Sequence, residues 1–156
     1  MKHSLIAFAC STLLACPLGA GAAGGGDEPA SMKNQDPEYA AAMDAVARKD
    51  WQLVVDRMGS YIKRKPEDAN GWNELGHAYR LTGKIDPALD AYGKALKIDP
   101  KHRGAHEYLG EAYLQINDLP RAEQQLQVLD KLCFLPCEEY RDLKKSIGEY
   151  KKKAAS

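Results

Sequence analysis

Trp72-Asn73-Glu74-Leu75-Gly76-His77-Ala78-Tyr79, followed by Ala88, Tyr92, Ala95 and Pro100, is the stretch on which the fold turns. Trp72, Leu75 and Tyr79 recur at i, i+3 and i+7, the spacing of one apolar helix face. Gly76 falls among them, mid-helix, where glycine costs about 1 kcal/mol relative to alanine. That cost is tolerable where the missing Cβ lets a neighbouring helix come close, with Ala88 the expected small partner for Gly76 and Ala122 for Gly110. Outward from this stretch the pattern recurs. Segments 35–68, 69–102 and 103–136 align without gaps at a 34-residue step. Lys49-Asp50-Trp51, Gly83-Lys84-Ile85 and Asn117-Asp118-Leu119 mark the same mid-repeat turn, and Asp99-Pro100-Lys101 answers Lys65-Pro66-Glu67 one period on. A fixed step of this length with a turn at its middle predicts a pair of helices per repeat. Segment 138–151 carries Tyr140, Leu143, Ile147 and Tyr150 at helical spacing, which predicts one further amphipathic helix lying over the last repeat as a cap.

The motif of residues 72–100 resembles the tetratricopeptide repeat signature, with Tyr92 where that family commonly has Phe. The third segment keeps Leu109-Gly110-x2-Tyr113 and Ala122, with His106 in the Trp place and Leu126 in the aromatic place. The first is degenerate and retains Ala42, Met58 and Pro66. The resemblance covers residues 35–151. It implies an all-α fold, a right-handed superhelix (an α-solenoid) of about three helix pairs plus a C-terminal capping helix. The chain after Arg103, with Cys133-x3-Cys137 and Glu138-Glu139-Tyr140, also resembles small exported proteobacterial repeat proteins.

Composition bounds the partners. Lys and Arg number 22 and Asp and Glu number 22, so the formal net charge is zero. Nucleic acid is thereby disfavoured as the main partner, since phosphate binding needs a basic excess. Lys151-Lys152-Lys153 reads as a solvated helix end, where cations suit the helix dipole. At the other terminus, Lys2 and His3 precede an apolar stretch, Ser4 to Leu14, about as long as a signal-peptide core and too short to span a bilayer. Ala20-Gly21-Ala22 offers a peptidase site that would leave Ala23 first. An overlapping site, Leu13-Leu14-Ala15-Cys16, resembles a bacterial lipobox in which Cys16 would be lipidated. Either route exports the protein, to a bacterial periplasm, free or anchored by lipid at Cys16. The expected organisation is a signal peptide at 1–22, a flexible linker at 23–34, the repeat domain at 35–151 and a tail at 152–156.

In the family the first helices of successive repeats line a concave groove that holds a peptide or partner segment. Carried over residue by residue, the groove stripe is Asn70, Asn73, His77 and Arg80 on the middle repeat and Glu107 and Glu111 on the third. Arg141 and Lys145 would come from the cap, and Tyr39 and Met43 from the first repeat. Asn side chains can bond both donors and acceptors of an extended backbone. Repeats that clamp a C-terminal carboxylate line the groove with several Lys and Arg, whereas Glu107 and Glu111 put negative charge at its centre. An acidic-tail ligand is therefore not expected, and a Lys or Arg opposite the two Glu residues is.

Cys133 and Cys137 form, in an exported protein, a natural disulfide pair. In an unbroken helix their Cβ atoms would lie about 5–6 Å apart, too far for a disulfide. Pro136 is expected to end one helix and open the next, so that the bridge ties the last repeat to its cap. His102 and His106, four apart, with the cysteine pair, support an alternative reading as a metal or redox handling protein. No phosphate loop, His-Glu-x2-His or serine nucleophile motif appears, and the expectation is a binding protein with no catalytic residues, cofactor or metal. The leading function is an exported scaffold that binds a peptide segment or partner protein in its concave groove, in cell-envelope assembly.

Overall fold

The computed structural model describes residues 36–155; the expected signal segment, Cys16 and the linker lie outside the described residues. Among the described residues the chain forms helices only: α1 (Pro37–Ala47), α2 (Trp51–Arg64), α3 (Ala69–Leu81), α4 (Ile85–Ile98), α5 (Arg103–Gln115), α6 (Leu119–Leu132) and α7 (Glu138–Ala154). They stack in order as three antiparallel pairs with α7 as the seventh, a tetratricopeptide-type superhelix.

Local chemistry sets the boundaries. Side chains of Asp36, Asp50, Asp68 and Asp118 accept the orphan N–H groups that open α1, α2, α3 and α6. His102 does the same for α5 through its ring, which accepts from Ala105 N–H. Within each pair the chain reverses at a residue of positive φ: Lys49 at 58°, Gly83 at 77° and Asn117 at 60°. These positions are one period apart. The middle one is glycine, for which the conformation carries no steric cost.

The core runs along the stack in three linked clusters. Ala42, Val54, Met58 and Leu75 join α1, α2 and α3. Ala88, Tyr92, Leu109 and Ala112 join α4 and α5, and Ala122, Leu129, Leu143 and Ile147 join α6 and α7. Tyr79 belongs to the first and second clusters, and Tyr113 to the second and third. The signature tyrosines of the second and third repeats thus bridge neighbouring clusters.

The mid-helix glycines do mark close approaches, but to different partners from those expected. A Cβ at Gly76 would sit 2.6 Å from the ring of Tyr92 on α4, and one at Gly110 would sit 2.6 Å from Leu143 on α7. Large side chains press into the glycine notches, while Ala88 and Ala122 are buried elsewhere in the seam. The cap also departs from expectation. Helix α7 runs to Ala154, past the predicted end at 151, and takes up most of the predicted tail. Helix α6 stops at Leu132, so Pro136 sits within the connecting loop and does not itself terminate the helix. Helix α7 occupies the place of a fourth repeat's first helix. Tyr140, Leu143 and Ile147 stand 34 residues after His106, Leu109 and Tyr113, and Lys144 replaces the glycine of 76 and 110 on the side exposed to solvent.

Candidate functional site

The first helices of the pairs, α3 and α5, and the cap helix α7 lie side by side, and the gap between them opens as two adjoining clefts. The first, of about 290 Å³, is lined by Asn73, Gly104, Glu107, Tyr108, Glu138, Glu139 and Asp142. The second, of about 310 Å³, is lined by Glu107, Glu111, Asp142, Lys145, Ser146 and Glu149. Glu107 and Asp142 belong to both. Seven carboxylate-bearing or amide side chains therefore face this region against one lysine.

Electrostatics follow. Partial burial, reinforced by the carboxylates of Glu111, Asp142 and Glu139, pushes Glu107 up to about 8, with Arg80 opposing. Burial pushes the Tyr108 phenol up to about 12, with Glu107, Glu74 and Glu111 adding to it. His77 is held down to about 4 by burial and then by the Arg80 charge. Its ring stacks on Tyr108, 4.2 Å between centroids, with Trp51 tilted on the other side at 5.3 Å.

The stripe read from the sequence is divided by the structure into residues that line the cleft and residues spent on the fold. Glu107 lines both clefts and Lys145 the second, where its ammonium lies 4.0 Å from Glu149. Arg80, 9% exposed, donates to Glu111 at 2.7 Å, and Ser146 Oγ–H donates to the other Glu111 oxygen at 3.1 Å. This pair clamps α3, α5 and α7 together, so Glu111 is a structural acceptor and not the free groove charge expected. Asn70 is exposed at the rim, its Oδ1 accepting from His102 Nε2–H at 3.0 Å. Asn73, expected to face solvent, is only 4% exposed. Its Nδ2 donates to Glu74 Oε1 at 3.2 Å and its Oδ1 has no partner. Tyr39 and Met43 pack on the first core cluster, Tyr39 edge-on to Tyr61 at 5.1 Å, rather than in the groove.

Arg141 is the largest correction. It points away from the clefts and donates to the Pro136 carbonyl at 3.0 Å. At 3.6 residues per turn, the α7 face that lines the clefts is Glu138, Asp142, Lys145 and Glu149. The carry-over landed one residue short of that face. A 34-step match from Glu107 gives Arg141, but Glu107 lies on the side of α5 facing onward along the stack. The residues that face back are matched by Gly104, Tyr108 and Glu111, and the i, i+4 spacing of Glu138 and Asp142 was the available signal. The end of the groove is consequently acidic where a basic flank was expected.

The residues of the alternative reading are separated. His102 is committed to Ala105 and Asn70, and the His106 ring lies 3.0 Å from the Pro100 carbonyl and 2.8 Å from Gln125 Oε1. His106 thereby keeps what Trp72 does one period earlier, where Nε1–H donates to the Pro66 carbonyl at 2.8 Å. Histidine can replace tryptophan here because both carry a ring N–H. Trp72 itself is half-buried, less enclosed than expected, and shares an outer cleft of about 360 Å³ with Ile62, Leu75, Tyr79, Asp90 and Lys94. Among the described residues no group of three or more His, Cys, Asp or Glu is placed to hold a metal ion. No helix among them is long and apolar enough to cross a membrane. Cys133 and Cys137 are brought into sulfur contact across the α6–α7 loop, with Cα atoms 5.8 Å apart. Phe134 and Leu135, between them, are exposed.

Residues 69–102 match the family model of the tetratricopeptide repeat. The fold is that of a tetratricopeptide-repeat protein. Among curated proteins, Tetratricopeptide repeat protein 37 of Xenopus laevis is 32% identical over 91 residues, 54% of this chain and 6% of the relative. The chain thus spans a small part of the curated relatives it matches. Among solved structures, the TPR2B domain of yeast Sti1 in its pHsp70 complex superposes with a TM-score of 0.68 at 19% identity, covering 74% of this chain and 94% of that one. The Yersinia enterocolitica type III secretion chaperone SycD, in complex with a peptide of the translocator YopD, superposes at 0.64 with 18% identity, covering 75% and 92%.

Proposed function

We propose that this tetratricopeptide-repeat domain is an exported, non-catalytic scaffold of the bacterial cell envelope that holds an extended segment of a partner protein along α3, α5 and α7. The observation that carries the reading is the pair of adjoining clefts, with Glu107 lining both after the fold has used Arg80, Glu111, Asn70, His102 and His106. Solved proteins of the same fold, the yeast Sti1 domain and SycD, hold partner chains or peptides. The Cys133–Cys137 bridge belongs to the same reading, since such a bond persists in an oxidising compartment. It would pin the helix that closes the cleft.

Photo-crosslinking tests the proposal. A photoreactive residue at Asp142, in the cleft, is expected to capture a partner in envelope extracts. One at Lys94, on the opposite cleft, is expected to capture none. Capture from Lys94 alone would move the binding surface to the outer helices.

A further inference from the structure

We infer that one copy of this chain docks onto another, with the Phe134–Leu135 tip of the α6–α7 loop seated in the outer cleft that α2, α3 and α4 form on the second copy. The contact uses a different face from the groove of the proposed function and stands independently of it.

The tip is unlike the turns that precede it in the stack. Residues 65–68 and 99–102 make the two earlier connections between repeats, and each carries a proline followed by a charged residue, Pro66-Glu67 and Pro100-Lys101. The third connection, 133–137, is one residue longer, and Phe134 and Leu135 stand one period after Pro100 and Lys101. Phe134 is fully exposed and Leu135 is 73% exposed, whereas Leu81, Ile98 and Ile116 are exposed by only 40–41%. Sulfur contact between Cys133 and Cys137 ties the two ends of the loop together. A loop this short and closed has few conformations in which its own chain could cover the two side chains, and a tip already fixed loses little freedom on docking.

The cleft is equally particular to one place. It holds about 360 Å³, and its apolar wall is Ile62, Trp72, Leu75, Tyr79, Pro87 and Ala91. A cavity of about 150 Å³ takes up a benzene ring, so a phenyl group with part of a leucine fits. One period on, larger side chains cover the same surface. Arg121 and Gln125 stand in the places of Pro87 and Ala91, the Arg121 guanidinium lying 4.5 Å from the Tyr113 ring centre and Gln125 Oε1 lying 2.8 Å from the His106 ring. Small residues at 87 and 91 leave open, and apolar, what the next repeat fills.

Charge selects the occupant. Beside the tip, Glu139 is paired with Arg103 and Arg141 with the Pro136 carbonyl, which leaves Asp130, Lys131 and Glu138 without partners among the described residues. The collar is therefore acidic by one charge. At the cleft, Asp90 is paired with Lys94, while Lys63 on the rim has no partner among the described residues. An acidic collar meets a basic rim, which favours the contact and its register. An anionic lipid surface would instead attract a basic collar. Phe134, being fully exposed, is not in the cleft of its own chain, so the cleft is filled by the tip of a second copy.

The experiment uses residues 34–156, oxidised, which hold all three core clusters, and follows mass by sedimentation velocity as concentration is raised. The parent chain is expected to gain mass. Phe134→Ser with Leu135→Ser removes the tip, and Gly59→Arg obstructs the cleft from a position where a Cβ meets nothing within 4 Å. Each variant should melt at or above the parent's temperature and self-associate at least about tenfold more weakly. An equimolar mixture of the two should associate again and stop at the mass of a pair, because one variant supplies only a cleft and the other only a tip. A parent chain that stays monomeric up to about 1 mM would overturn the inference. A mixture that stays monomeric, or a Gly59→Arg chain that associates as the parent does, would overturn it too. Phe134-dependent binding to phosphatidylglycerol vesicles by a chain that is monomeric in solution would overturn it in favour of a lipid surface. These outcomes leave the groove untouched: a second copy of this chain captured from Lys94 belongs to the present contact, whereas a different envelope protein captured from Lys94 and not from Asp142 tells against the groove.

Discussion

The inner and outer faces of the solenoid are built by the same period and finished differently. On the outer side, Trp72 lies in a cleft with Lys94 over its ring at 4.3 Å, and Lys94 in turn pairs with Asp90 at 2.7 Å. The Lys94 charge there has its partner on its own helix. On the inner side, Glu111 takes both Arg80 and Ser146, while one helical turn away Glu107 lines a cleft, with Asp142, that has no basic side chain in its lining. The comparison separates charge that holds the molecule together from charge left for something else. The two kinds are four residues apart on one helix.

The largest expected effect breaks the Arg80–Glu111 pair. Glu111→Lys leaves Arg80, almost fully buried, facing a second cation, and removing one partner of a buried pair costs on the order of 3–5 kcal/mol. Denaturant unfolding should register that loss, whereas Glu107→Lys, a turn away, should retain the fold. Equal loss in both would mean that the two carboxylates do not differ in role.

A smaller effect tests the spacing between the inner and outer layers. Gly76→Ala must displace the buried Tyr92 ring, and overpacking of this kind costs about 1–3 kcal/mol. Gly93→Ala, on the outer helix with nothing within 4 Å of its Cβ position, should gain about 0.5–1 kcal/mol in helix propensity. Opposite signs in thermal melts are the expected outcome. Next comes Trp72→Ala. Because Trp72 is half-buried, its removal should cost about 1–2 kcal/mol, below the 3–5 kcal/mol of a fully enclosed aromatic.

The smallest effect concerns pH. The folded state holds Glu107 near 8, above its unfolded value near 4.5. Its contribution to stability is therefore fully present below the unfolded value and lost as pH rises toward the folded one, since over that window the native state binds the extra proton. Melting temperature should decline from pH 5 to 8, and Glu107→Gln should flatten that decline and raise stability most at pH 8. A profile identical in the variant would remove the repulsion that distinguishes the inner face.

The apolar period, the turn at 49, 83 and 117 and the seven helices were legible because they depend on neighbours along the chain: a helix face repeats every few residues, a turn needs a permissive residue, and a period of 34 needs only counting. The place of His106 was legible for the same reason, since it falls one period after Trp72. The chemistry of the inner face was not. Whether Glu111 is a free charge depends on Arg80, 31 positions earlier in the chain, and whether Asn73 is exposed depends on α5 closing over it. Arg141 and Asp142 are adjacent in sequence, yet one helical step of about 100° sends one to a loop carbonyl and the other into the cleft. The sequence by itself determined that this chain would stack as paired helices with an exposed inner surface. Only the packing of those helices decided which charges are paired across the seam and which remain unpaired, because that choice depends on how each helix is rotated against its neighbour.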